Sequence, residues 1–291
     1  MAGASIEHAE ERGVAAAAFE HALALWDRER DADEWAATQN HLGNALGALG
    51  QRQKDDELLD SAIRAFDAAL EVQSPQTYPE AWASTLNNLA AVLQSTGQQR
   101  KESKLLKRSV DSYRSVLTVW SKEHKPLLWA ATMSNLGAAL RMLGGTRKGP
   151  RTLEQAVAAY NAALSIRTRE RVPREWAITK NDLGAALQAV GERNDDQGTL
   201  RLAIDAYEEA LQAIQRHDEP MTWAMTMANV GVARRNLAER GGDVEIARRA
   251  VEDIQAAVTV FNDASHAQLA ELGGEQLFTA FQVLAAIDAG P

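Results

Sequence analysis

Few residue types in this 291-residue chain are suited to catalysis or metal binding. Cysteine is absent, and none of the six histidines occurs in the His-x3-His or His-Glu-x2-His spacing that brings two imidazoles to one metal. The acidic segments DDELLD, from Asp55, and NDDQG, from Asn194, lack the alternating ligands of a calcium loop and are typical of helix starts. We therefore predict no enzyme activity, no metal and no cofactor.

Asparagine is the polar residue that recurs at a constant place. Segments beginning at Trp35, Trp82, Trp129, Trp176 and Trp223 follow one another at 47 residues, and Asn recurs at positions 5 and 6 after the tryptophan. Its amide both donates and accepts hydrogen bonds, as binding of an extended peptide backbone requires. The predicted binding residues, here called the Asn face, are Asn40, His41, Asn44, Ser84, Asn87, Asn88, Gln94, Ser134, Asn135, Arg141, Asn181, Gln188, Met225, Asn229 and Arg235.

Two interpretations of these amides stay open. Asn is a poor helix former, so its recurrence within a helix indicates a role, either in binding a partner or in bonding one repeat to the next. Asn40, Asn87 and Asn181 are the preferred binding residues, whereas the Asn residues at position 6 are equally suited to a structural role. His41 is interpreted as a neutral hydrogen-bonding side chain.

Each repeat has the pattern of two helices. In the first, helix A, apolar residues at positions 0, 4, 7, 8, 11 and 14 follow helical spacing, and a proline three residues before four of the tryptophans suits a helix start. The Gly at position 15 (Gly50, Gly97, Gly144, Gly191) is expected to end helix A in the left-handed conformation. A second pattern, helix B, follows, for example from Leu58. With lone helices at 5–29 and 266–288, the prediction is about 12 helices.

The motifs Leu42-Gly43 and Ala62-x3-Phe66, which recur in later repeats, resemble the tetratricopeptide repeat. The stretch from Tyr78 resembles the long repeats of kinesin light chains, and the whole set resembles repeats common in bacterial proteins. The resemblance implies an all-α, right-handed α-solenoid of antiparallel helix pairs in which the Asn face lines a concave groove. HEAT repeats are the alternative fold, but they lack this Gly and Ala-x3-aromatic spacing. The Lys and Arg clamp of chaperone-binding members is absent from the Asn face.

The repeats predict one solenoid domain over 1–291. It comprises an N-terminal capping helix (1–32), five repeats (33–265) and a C-terminal capping helix (266–291). No leader segment or membrane span is indicated, so we expect a cytoplasmic protein without a membrane partner.

The net charge of −9 is unevenly distributed. Residues 1–97 hold 6 basic and 16 acidic side chains, 98–180 hold 17 and 6, and 181–291 hold 8 and 18. These charges either cover solvated surfaces, or form a basic saddle for an acidic partner, or join acidic ends to a basic middle in a homo-oligomer. Nucleic acid is not favoured, because the chain is acidic and its tryptophans are expected at packing positions away from the charges.

The sequence predicts a scaffold that holds an extended protein or peptide segment in the groove, and the basic-saddle interpretation would make that segment acidic. The alternative is a self-assembling structural protein. An enzyme that uses the groove as a pocket is the third hypothesis.

Overall fold

The computed structural model describes residues 13, 14 and 16–290, and every regular element among them is an α-helix. The first, α1, is helical at 16–23. The others are α2 (Ala32–Gln53), α3 (Asp56–Val72), α4 (Pro79–Gln99), α5 (Ser103–Val116), α6 (Pro126–Gly145), α7 (Arg151–Leu164), α8 (Pro173–Asn194), α9 (Gln197–Leu211), α10 (Pro220–Gly241), α11 (Val244–Asp263) and α12 (Ala267–Asp288). The prediction of an all-α helical repeat fold is confirmed.

The helices form two compact units, one ending at Thr146 and one beginning at Arg147. In the first unit each of α2 to α5 packs on the next helix, and α4 also contacts α2 and α6. In the second unit α7 to α12 pack in succession, and α10 also contacts α8 and α12. Within each unit the even-numbered helices, which correspond to helix A, therefore form a contiguous layer.

The starts of both kinds of helix follow from sequence. Helices α4, α6, α8 and α10 begin at a proline, where the missing N–H would have no intrahelical partner (Pro79, Pro126, Pro173 and Pro220). At the start of α3, Asp55 accepts hydrogen bonds from the backbone N–H groups of Glu57 and Leu58, at 2.9 and 3.1 Å. Asp196 and Asp243 cap α9 and α11 in the same way. The acidic segments thus begin helix B, as predicted.

The prediction that Gly50, Gly97, Gly144 and Gly191 end helix A in the left-handed conformation is wrong. All four lie within helices, and the left-handed residue after α2 is Lys54, with φ of 54°. Gly50 is needed for close packing instead, because an added Cβ would lie 2.9 Å from Cγ of Leu59 and 3.0 Å from its backbone nitrogen. At the end of α10 a glycine does take the left-handed conformation, since Gly242 follows the helix with φ of 67°.

The small residue of the Leu-Gly motif lets helix B approach helix A. An added Cβ at Gly184 would lie 2.7 Å from Cδ1 of Tyr207, whose side chain is 1% exposed. Phe66 packs against Gly43 in the same way. The motif residues therefore set the distance between the two layers within each unit.

The expectation that the tryptophans lie away from charges is also wrong. In four of the five repeats a cation seven residues before the tryptophan lies over its ring. These contacts join Arg28 to Trp35, Lys122 to Trp129, Arg169 to Trp176 and Arg216 to Trp223, at 4.9, 5.5, 5.9 and 5.2 Å from the ring centroid. The tryptophans consequently contribute cation–π contacts as well as apolar packing.

The terminal helices agree with expectation in part. Helix α12 begins after His266 and ends at Asp288, as predicted. Of the predicted N-terminal helix at 5–29, residues 5–12 lie outside the described residues, and 24–29 form turns and a bend rather than helix. The boundaries at 32 and 265 stay predictions. Among the described helices, none is both long and apolar enough to cross a membrane.

Candidate peptide-binding site

The Asn face lies on the even-numbered helices. Its members are Asn40, His41 and Asn44 on α2; Ser84, Asn87, Asn88 and Gln94 on α4; Ser134, Asn135 and Arg141 on α6; Asn181 and Gln188 on α8; and Met225, Asn229 and Arg235 on α10. Most are half-buried, His41, Asn44 and Met225 are exposed, and Ser134 is buried. The first three helices belong to one compact unit and the last two to the other, so each part is described by itself.

In the first unit an amide pair joins neighbouring repeats. Nδ2 of Asn88 donates a hydrogen bond to Oδ1 of Asn40 over 3.1 Å. The bond connects position 5 of one helix A with position 6 of the next. Beside it, the His41 ring stacks on Phe19 of α1 with 5.6 Å between ring centroids.

The second unit repeats this arrangement. Nδ2 of Asn229 donates to Oδ1 of Asn181 over 3.2 Å, and the two residues are again 48 positions apart. Asn at positions 5 and 6 therefore bonds repeat to repeat, as the structural interpretation expected. Each bond uses one of the two donor hydrogens and one of the acceptor sites that an amide has, so capacity for a further partner is left.

Other members of the Asn face of the second unit also bond within the fold. Gln188 donates to Oε1 of Glu192 over 2.8 Å, and its own Oε1 accepts from the Tyr207 hydroxyl at 3.1 Å. Arg235 donates to Oε1 of Gln276 over 2.7 Å, and burial lowers the pKa of its guanidinium. These contacts orient polar side chains along α8 and α10.

An apolar pocket lies at the end of this face, between α10, α11 and α12. Its volume is about 400 Å³. The wall contains Val232, Phe261 and Leu269, and two exposed side chains, Met225 and Leu272, also line it. Asn229 and Gln276 add polar groups to the lining. We call this cavity the α12 pocket; it has the size and chemistry to accept one large apolar side chain beside a hydrogen-bonding backbone.

Sequence reasoning found Met225 and Asn229 but missed the α12 half of the pocket. The signal was available. Continuing the 47-residue register by one unit puts Leu272 and Gln276 at positions 2 and 6, the positions of Met225 and Asn229. Phe261, on α11, carries no signal of this kind, because only the packing of α11 brings it to the pocket.

Charged residues of the basic third pair with acidic neighbours inside each unit. In the first unit Arg100 donates to Asp56 and Asp60, each at 2.8 Å, and Lys125 lies 3.3 Å from Glu80. In the second, Nε of Arg174 lies 3.2 Å from Oε1 of Glu219. The uneven charge along the sequence is thus partly matched between neighbouring repeats. The structure shows no cluster of His, Asp and Glu suited to a metal ion within its described part.

Comparison with known proteins agrees with the helical arrangement. Residues 82–118, which span α4 and α5, match the family profile described as the tetratricopeptide repeat. The matched segment, 37 of the 291 residues, is similar to the tetratricopeptide repeat. Tetratricopeptide repeats generally mediate contacts between proteins rather than catalysis. No curated protein matches the chain.

Several solved structures are similar to the chain. BtubC (BKLC) from P. vanneervenii is 15% identical and aligns over 87% of this chain and 92% of its own, with a TM-score of 0.58. MamA protein is 18% identical over 79% of this chain and 96% of its own, with a TM-score of 0.43. The TPR2AB domain of yeast Sti1, in a pHSP90 complex, is 15% identical over 94% and 98%, with a TM-score of 0.33. At these identities the likeness concerns the fold alone.

Proposed function

We propose that the protein is a non-catalytic scaffold that binds an extended protein segment on the part of the Asn face that belongs to the second unit, with an apolar side chain of the partner in the α12 pocket. The α12 pocket carries the proposal, because it combines an apolar cavity with amides of Asn229 and Gln276 in its lining. Such a site offers affinity through burial of the side chain and orientation through hydrogen bonds to the partner's backbone.

Exposure supports this choice of surface. Met225 and Leu272 are 47% and 51% exposed, although both line a cavity with a buried aromatic wall at Phe261. A partner side chain would remove apolar surface from water on both sides of the contact, which is the main source of binding free energy at such sites. The Asn229–Asn181 pair would keep its inter-repeat bond while its free amide hydrogens and lone pairs face the partner backbone.

Selection from a random heptapeptide library on the purified chain tests the proposal. We expect enrichment of peptides with one large apolar residue. The binding of an enriched peptide should fall at least about tenfold in Leu272→Glu and in Met225→Glu, because a carboxylate in the pocket lining disfavours an apolar side chain.

Leu202→Glu is the matched control. Leu202 lies on α9 and is 55% exposed, close to the exposure of Leu272, but it does not line the pocket. Its substitution should leave peptide affinity unchanged. Failure to enrich peptides, or equal loss in Leu202→Glu and Leu272→Glu, would contradict the proposal.

A further inference from the structure

The second repeat departs from the tryptophan series of the fold. In the other four repeats an Arg or Lys seven residues before the tryptophan lies over its ring, whereas Pro75 occupies that position before Trp82. Among the described residues no cation lies over Trp82. Its side chain lines a cleft of about 420 Å³ between α4 and α5 instead.

The cleft is rich in positive charge. Lys104, Lys107 and Arg108 line it on the α5 side. Arg108 is paired with Asp67, but Lys104 and Lys107 are exposed and have no ion-pair partner in the described part of the chain. Two ammonium groups are therefore available to an anionic ligand. We call this site the α5 cleft.

Apolar and basic groups lie at opposite ends of the α5 cleft. Ser109 Oγ donates to the Ala90 carbonyl over 2.7 Å, and Gly97, later in α4, lies beside Leu106, earlier in α5, so the two helices run antiparallel. This register places Leu86 and Trp82 beside the C-terminal half of α5, whereas Lys104 and Lys107 lie in its N-terminal half. A ligand that fills the cleft must be anionic at one end and apolar at the other.

From this polarity we infer that the α5 cleft binds an acidic peptide segment, with carboxylates on Lys104 and Lys107 and an apolar side chain against Trp82 and Leu86. The twelve residues from Lys104 to Ser115 span roughly 16 Å of helix. An extended peptide of five residues spans about 13 Å from its first to its last Cα, and alternate side chains share one face. The pattern Glu-x-Glu-x-apolar therefore fits the cleft.

Nucleic acid fits the α5 cleft less well than a peptide. Asp111 lines the cleft and Asp67 pairs with Arg108, so carboxylates accompany the cations. A polyphosphate backbone carries a charge at every nucleotide and would bring one next to Asp111, whereas the proposed peptide is apolar at that end of the cleft. The cleft is also separate from the Asn face. With 100° per residue, Trp82 and Leu86 lie on the side of α4 opposite Ser84.

Fluorescence anisotropy at low salt tests the inference. The probes are two fluorescein-labelled peptides, Glu-Ser-Glu-Ser-Leu and its reversed sequence Leu-Ser-Glu-Ser-Glu, so that both directions of the peptide chain in the cleft are tested. We expect one of the two to bind. Its affinity should fall at least about tenfold in the double variant Lys104→Glu, Lys107→Glu, and also when Gln replaces both Glu residues of the peptide. Trp82→Leu, which keeps apolar packing but removes the ring, should weaken binding with helicity unchanged by circular dichroism.

The double variant Lys148→Glu, Arg151→Glu is the control. Both residues are exposed basic side chains of the second unit outside the cleft, and the change in net charge is the same. Affinity should stay within about twofold of the unmodified chain. Equal losses in the two double variants would show non-specific attraction and overturn the assignment. Absence of peptide binding would also overturn the assignment. So would tighter binding of oligothymidine than of the peptide, if the variant Lys104→Glu, Lys107→Glu weakens the binding of oligothymidine as well.

Discussion

Asn88 and Asn40 form a hydrogen bond of 3.1 Å between side chains that lie 48 residues apart in sequence. Because the two residues belong to consecutive repeats, the pair allows the free energy of a contact between repeats to be measured directly. In a double-mutant cycle of Asn40→Ala and Asn88→Ala, we expect a coupling free energy of about 0.5–1.5 kcal/mol in unfolding by urea, the usual net contribution of one hydrogen bond.

Asn44→Ala supplies the control for this cycle. Asn44 is on the same helix but exposed, and it has no hydrogen-bond partner among the described residues. Its substitution should stabilise the chain slightly, by no more than about 0.7 kcal/mol, because Ala is the better helix former. A coupling indistinguishable from zero would show that the amide pair does not stabilise the repeat interface.

Substitution by Ala should destabilise the chain at Gly184 and stabilise it at Gly274. Gly184→Ala puts a Cβ 2.7 Å from Cδ1 of Tyr207 and should destabilise the chain by about 1–3 kcal/mol through overpacking. Gly274 lies within α12 with nothing within 4 Å of an added Cβ, so Gly274→Ala should stabilise it by about 0.5–1 kcal/mol through helix propensity. Thermal unfolding by circular dichroism measures both. Equal effects would contradict the assigned packing role of Gly184.

Lys54 and Gly50 test the corrected end of α2. Lys54 has a left-handed φ of 54°, so Lys54→Gly should stabilise the chain by about 1 kcal/mol by removing Cβ strain. Gly50→Ala should destabilise it, because the new Cβ would lie 2.9 Å from Leu59 Cγ. Urea unfolding of both variants checks this. Stabilisation by Gly50→Ala would contradict the packing assignment.

Most of the fold could be predicted from sequence because the repeats contain the same local signals for helix starts. Prolines begin four of the A helices. The acidic segments cap B helices by accepting hydrogen bonds from backbone N–H groups of the first turn, and both effects are local in sequence. Gly50 was misinterpreted because a glycine near a helix end suits either a left-handed residue or close packing. Only the position of Leu59, fixed by tertiary packing, distinguishes the two.

The candidate sites were less predictable because they also depend on tertiary packing. The bond of Asn40 to Asn88 depends on the rotation of two helices, which residue spacing alone leaves open. The cations over the tryptophans were missed although their spacing of seven residues is visible in sequence, because a loop residue need not fold back onto the next helix. The α12 pocket further requires Phe261 from a different helix.

Asp196 gives the α9 cap a predictable pH dependence. Its carboxylate accepts hydrogen bonds from the Thr199 hydroxyl, the Gly198 backbone N–H, and the Thr199 backbone N–H, and these bonds lower its pKa. A carboxyl whose pKa is lower in the folded state stabilises the fold above its unfolded pKa. That contribution is lost as the pH falls through the lowered folded value.

Asp196→Asn keeps an acceptor but does not titrate. We expect the stability advantage of the unmodified chain over Asp196→Asn to be constant near neutral pH and to decrease below about pH 4. Urea unfolding of both proteins over a pH series measures the difference, and a difference independent of pH throughout the acid range would contradict the assigned role of the charged carboxylate.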